Sequence, residues 1–235
     1  MKFQTFVKSA SAVAVAFTVF GLGTAYAGTL YDNTVGALTP GYATNGYQIS
    51  GSDSVTDSFS LTQSSILTGV DFVVWTLPGD IPTGVNWAIE TGTINGTTGV
   101  LTGATVYSGT ASLSGGPATG FTPNSFGYDV SLEAFSLSNL SLAAGSYWLQ
   151  LSSVTGTGTD PVYWDENNGP SFAYGAGADD PGNLAGVDSS CCTGSETFQV
   201  LGNPQQTGGQ TPEPGTAALL GTGLMLAGLL RRKLS

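Results

Sequence analysis

The chain has 235 residues, no histidine, 35 glycines, and sixteen acidic against five basic residues, for a formal charge of −11. The five basic residues are Lys2, Lys8, Arg231, Arg232 and Lys233, so residues 28–211 hold no Lys, Arg or His and, with every acid except Glu213, a formal charge of −15. This excludes nucleic acid as a partner, because binding it rests on Lys and Arg neutralising phosphates. It also makes anionic lipid a poor partner, forbids salt bridges within the body, and leaves cations and neutral polymers as attractive ligands.

The first element is a terminal one. Lys2 and Lys8 flank the start of an apolar run from Ala10 to Leu22, and the small-x-small site Ala25-Tyr26-Ala27 follows. That order predicts a secretory signal helix over 1–27, cut after Ala27. Export puts the only two cysteines, Cys191 and Cys192, in an oxidising compartment. Adjacent Cα atoms sit about 3.8 Å apart across a trans peptide, against about 4.4–6.8 Å in ordinary disulfides. A bond between these two would be strained, and cross-linking to another chain is the alternative.

The body, residues 28–202, is 175 residues long and large enough for one domain with a core. Its runs alternate with period two and are separated by Gly, Pro, Asn and Asp turns. In "SVTDSFSLT", Val55, Phe59 and Leu61 share a face, with Asp57 between them. In "GVDFVVWTL", Val70, Phe72 and Val74 oppose Asp71, Val73 and Trp75; in "GVNWAIETG", Val85, Trp87 and Ile89 oppose Asn86 and Glu90. "NSFGYDVSLEAF" sets Phe126, Tyr128, Val130 and Leu132 against Asp129, Ser131 and Glu133; "GSYWLQLSS" sets Tyr147, Leu149 and Leu151 against Trp148 and Gln150; "ETFQVLG" closes the body. Such runs are half-buried strands, and no crossover helices appear between them. The prediction is an all-β fold: a single antiparallel β-sandwich of nine or ten strands, jelly-roll-like, flanked by the signal helix and a C-terminal transmembrane helix. Residues 203–211, "NPQQTGGQT", read as a flexible linker.

Without histidine or lysine in the body, Ser-His-Asp and Cys-His chemistry are impossible. Carboxylates remain, and a glycosidase needs only two. Glu90, Glu133, Asp165, Glu166 and Glu196 are the candidates, weighed against the plainer reading that acids on strands are solvated outer-face residues. Asp160, Asp165, Glu166 and Asn167 in "TDPVYWDENNGP" are candidate calcium ligands, since calcium takes oxygen ligands, although turns favour the same residues. Trp87 fits a core face, whereas Trp148 and Trp164 are candidate sugar-stacking platforms. Threonine rows are too irregular to make an ice-binding surface the first choice.

The last element combines Pro212-Glu213-Pro214, an uncharged apolar run from Thr216 to Leu230, and Arg231-Arg232-Lys233. As a helix the run is roughly 22 Å long, short against a hydrocarbon core of about 30 Å. This combination over 212–235 resembles the PEP-CTERM sorting signal, whose short segment also circulates as the ice-binding protein C-terminal domain. The resemblance implies recognition and cutting of the tail by exosortase, a membrane peptidase of Gram-negative bacteria that make extracellular polysaccharide. The body phrases "GVDFVVW", "AAGSYWLQL" and "VYWDENNGPSFAYG" are similar to those often found ahead of such tails, with no activity attached. The expectation is a non-enzymatic exported protein, held briefly in the inner membrane with its basic end cytoplasmic. It then passes to the cell surface or extracellular matrix and associates with exopolysaccharide. A carbohydrate-binding module or carboxylate-only glycosidase is the alternative, and ice binding a more distant one.

Overall fold

The computed structural model describes residues 27–34, 45–94, 101–117, 123–167, 169–176 and 194–205. The predicted signal helix, most of the linker, the sorting tail and both cysteines lie outside them. Thirteen strands form among the described residues: β1 (Gly28–Asp32), β2 (Gly46–Gln48), β3 (Ser54–Leu61), β4 (Ser65–Thr76), β5 (Pro82–Ile94), β6 (Leu101–Ser112) and β7 (Ser114–Pro117). They continue with β8 (Asp129–Leu142), β9 (Gly145–Gly156), β10 (Tyr163–Asn167), β11 (Ala173–Ala176), β12 (Ser195–Glu196) and β13 (Phe198–Pro204). The surplus over the expected nine or ten is made of short edge pieces, which are too brief to show a period.

The strands form two sheets, antiparallel at every strand pairing. The larger runs β1-β13-β4-β10-β12, with β8 also on β4, β7 on β8, and β2 on β10; the smaller runs β11-β3-β9-β5-β6. One core lies between them. Phe72, Val74, Trp164 and Phe198 from the larger sheet meet Val55, Phe59, Ile89, Leu149 and Leu151 from the smaller. The inward faces of β3, β4, β5 and β9 are those that alternation predicts.

β8 departs from its predicted face. Phe135 and Leu137 belong to the core, and since side chains alternate along a strand, Ser131 and Glu133 turn inward with them. Val130 and Leu132 instead join Val73, Trp75, Tyr128 and Tyr163 in a second apolar cluster outside the larger sheet. Phe126 is not in a strand at all; it is 61% exposed and stacks on Trp75 at 6.0 Å. Two apolar layers cover this sheet, so period two alone does not say which face is the interior. The linker also begins later than predicted, because Asn203 and Pro204 still pair with Ile66 and Ser65.

β10 carries β4 and β12 along one edge and β2 along the other. Trp164 pairs with Val74 and Glu166 with Glu196 on the first edge, while Tyr163, Trp164 and Asp165 pair with Gln48, Tyr47 and Gly46 on the second. Thr197 makes the step between β12 and β13: its N–H donates to Asp165 O and its carbonyl accepts from Val73 N–H. At this end the two sheets are tied to each other, since Ala173 N–H donates to Gly194 O.

Candidate functional site

Two places concentrate polar chemistry. The first is the outward face of the smaller sheet. Ser54, Thr56, Ser58 and Ser60 of β3 lie opposite Ser152, Gln150, Trp148 and Ser146 of β9. Across β9, Asn86, Ala88 and Glu90 of β5 continue the rows, and Thr110, Ser108 and Thr105 of β6 extend them. Alternation puts all of these on one side of the sheet. The result is a face rich in hydroxyl and amide groups, with Thr56 and Ala88 buried within it and one carboxylate, Glu90, whose Oε1 accepts a hydrogen bond from Thr105 Oγ1 at 3.0 Å. Half-buried Trp148 sits within it, pinned by its Nε1–H donating to Gly92 O at 3.0 Å and by an edge contact with Tyr174 at 5.8 Å. These contacts hold the indole in one position, the rigidity that a stacking contact requires.

The second is a buried acidic group at the β10–β12 end. Glu166 and Glu196 are cross-strand partners, so their side chains share a face. Asp57 reaches them from the core face of β3, where its Oδ2 accepts from Glu196 N–H at 2.6 Å and from Ser171 Oγ at 2.8 Å. Asn33 Nδ2 donates to Ser171 Oγ and Ser195 Oγ, which lie 2.6 Å from each other. Glu166 Oε1 accepts from Gly194 N–H at 3.2 Å. Glu196 is 0% exposed and neither of its carboxyl oxygens has a hydrogen-bond partner. Burial drives its pKa well above the ordinary carboxyl value, and the neighbouring Asp57, Glu166 and Asp165 push it further. Burial raises Asp57 to about 7 against the pull of its hydrogen bonds from Glu196, Ser171 and Ser58.

The candidate calcium ligands are not brought together. Asp160 is exposed, on the rim of a shallow cleft of about 320 Å³ lined by Gln48, Ser50, Thr155 and Val162. Asp165 and Glu166, being neighbours on a strand, point to opposite faces. Asp165 is engaged by Trp75 Nε1–H at 2.6 Å and Thr197 Oγ1 at 2.8 Å, and burial lifts its pKa to about 7. Asn167 Nδ2 donates to Thr197 Oγ1 and to Asn33 O. Among the described residues no group of three or more acids or cysteines could hold a metal ion.

Trp164 is also placed differently from its expected role. It is 0% exposed, packed against Phe72 and Phe198, with its Nε1–H donating to Thr197 O. It is a core residue, not a platform. The reading of strand acids as solvated fails as well: Glu133, Asp165, Glu166 and Glu196 are all buried, and only Glu90 is half open. A sugar-cleaving pair must touch the glycosidic bond, which these four do not offer.

Asp57, Asn33, Ser171 and Ser195 are the members of the buried group that sequence reasoning missed. Asp57 carried a signal, an acid in the middle of an apolar face; the others carried none. Residues 210–233 match the PEP-CTERM protein-sorting motif. No curated protein matches the chain.

Proposed function

We propose that this chain is an exported protein of a Gram-negative bacterium. Its tail delivers it to an exosortase-type membrane peptidase, and its body is non-catalytic and associates with neutral extracellular polysaccharide. The observation that carries the reading is the sorting motif at 210–233. It follows a body from which every positive charge is absent, and the motif itself ends in the basic cluster Arg231, Arg232 and Lys233. Export past Ala27 and release of the tail would strip the protein of all its basic residues, leaving a polyanion that stays soluble and does not adhere to nucleic acid or anionic lipid. The destination is the cell surface or the matrix around it.

The polysaccharide part of the reading is supported by the outward face of the smaller sheet. Hydroxyl and amide groups match the donor and acceptor pattern of a neutral sugar chain, and Trp148 supplies a stacking surface without adding charge.

Both parts have a direct test. In a host that carries exosortase, the wild-type chain is expected to lose its tail. A chain with Pro212→Ala, Glu213→Ala and Pro214→Ala is expected to keep it, as judged by mass. The processed body has no Lys or Arg, so it should survive trypsin even when denatured. Retention of the wild-type tail in that host would sink the sorting reading. For the body, a pull-down with the host's own neutral polysaccharide is expected to retain the wild-type chain and to lose at least tenfold with Trp148→Ala, a loss of about 1.4 kcal/mol. Equal retention of the two would remove Trp148 from the site.

A further inference from the structure

The buried acidic group has no part in that function. Glu196 of β12 is faced by Glu166 of β10 and Asp57 of β3, with the charge of Asp165 acting from the opposite face of β10, while Tyr31 of β1 reaches the same group beside Ser171 and Asp57. None of these is basic, and the sequence has no basic residue between Lys8 and Arg231. An ionised carboxylate can only accept hydrogen bonds, whereas a carboxylic acid donates one. Both oxygens of Glu196 lie buried without a donor, among groups that are themselves mostly acceptors. A carboxylate in such a place loses its hydration with nothing in return. The form that fits is the neutral acid.

We propose that this group is a proton-held closure of one end of the sandwich: Glu196 is locked in as the neutral acid, and its ionisation in alkaline surroundings loosens β12 from β10 and β3. The geometry makes the effect local. Glu196 N–H is bound to Asp57, Ser195 to Ser171 and Asn33, and Gly194 to both Ala173 and Glu166, so one short segment ties the two sheets together. Burial raises these acids above their unfolded values. Their contribution to stability is therefore complete below the ordinary carboxyl range, and it is lost as pH rises through the folded values, about 7 for Asp57 and well above the ordinary carboxyl value for Glu196.

The test uses the full chain in mild detergent. Thermal unfolding is followed by tryptophan fluorescence, and amide exchange is corrected for its intrinsic pH dependence. Between about pH 5.5 and about pH 8.5 the Tm should fall by roughly 10 °C, and amides of 165–167 and 194–197 should exchange at least tenfold faster relative to those of β5. Glu196→Gln, neutral at every pH, should flatten the local exchange response and reduce the fall in Tm, leaving the part that Asp57, Asp165 and Glu133 contribute. Glu133→Gln, remote from this group, should leave the local exchange of the wild type unchanged. Where Glu196→Gln does not fold, the wild-type profile and Asp57→Asn decide. A Tm that is flat or rises with pH overturns the proposal, as does an exchange pattern that loosens evenly over both sheets. Restoration of the acid Tm at about pH 8.5 by millimolar calcium chloride, but not by sodium chloride of equal ionic strength, overturns it in favour of a metal occupant.

Discussion

A single residue shows what an acid costs in a body with no base. Glu133 lies opposite Phe72 on the core face of β8, 1% exposed, with Oε1 lacking any partner. Burial raises its pKa to about 7. The unfolded chain titrates near the ordinary glutamate value, so between the two values the folded state holds the extra proton. The stability this contributes is complete at acid pH and lost as pH rises through about 7. Glu133→Gln removes the charge and keeps the shape. At about pH 8 the variant should be more stable than the wild type by about 1 to 2 kcal/mol. At about pH 4 the two should be equal. Urea midpoints at the two pH values decide it, and a variant that is less stable at the higher value would mean that Glu133 has a donor.

At the scale of elements, β7 depends on a glycine. An added Cβ at Gly115 would stand 2.3 Å from Leu132 O and 2.5 Å from Glu133 Oε2, closer than any real contact. Gly115→Ala should therefore unzip β7 from β8 at a cost of about 1 to 3 kcal/mol, with fast amide exchange confined to 114–117 and the facing part of β8. Exchange that stays slow there would show that β8 can give way. The elements also mark how far the sequence was legible. β3, β4, β5 and β9 are long, with one apolar face each, so alternation fixed which side is inside. β8 is apolar on both sides, so Val130 and Leu132 misdirected the reading. β2, β7, β11 and β12 have two to four residues and no period to read. The buried acids needed contacts that no local pattern carries: Glu166 and Glu196 are thirty residues apart and meet only because β12 pairs with β10. Asp57 alone was visible, as an interruption in an apolar face. The outward position of Trp148 followed from alternation along β9, which sets it with Gln150 against Tyr147, Leu149 and Leu151.

Across the whole molecule the charges have one sign, and that reverses the usual effect of salt. In most proteins added salt screens attractive pairs along with repulsive ones. Residues 28–205 contain fifteen acids and no base, so every long-range charge interaction in the body is repulsive. Folding brings these charges closer than they are in the expanded chain and works against itself. Burial eases this by favouring the neutral form of the inner acids, whereas at Asp32 hydrogen bonds from Thr34 and Gln199 outweigh the burial and hold the carboxyl below its ordinary value, so it keeps its charge. The Debye length shortens from about 30 Å at 0.01 M to about 10 Å at 0.1 M, which removes most of the repulsion across a domain of this size. Sodium chloride should therefore raise the Tm by several degrees over that range at about pH 8 and then level off. Sulfate, which acts by exclusion from the surface, should go on raising it in proportion to concentration. At about pH 4, with many acids neutral, the sodium chloride effect should shrink to a fraction of its value. A Tm that falls with sodium chloride at about pH 8 would require an attractive charge pair, and the sequence of the body contains no residue to supply its positive member.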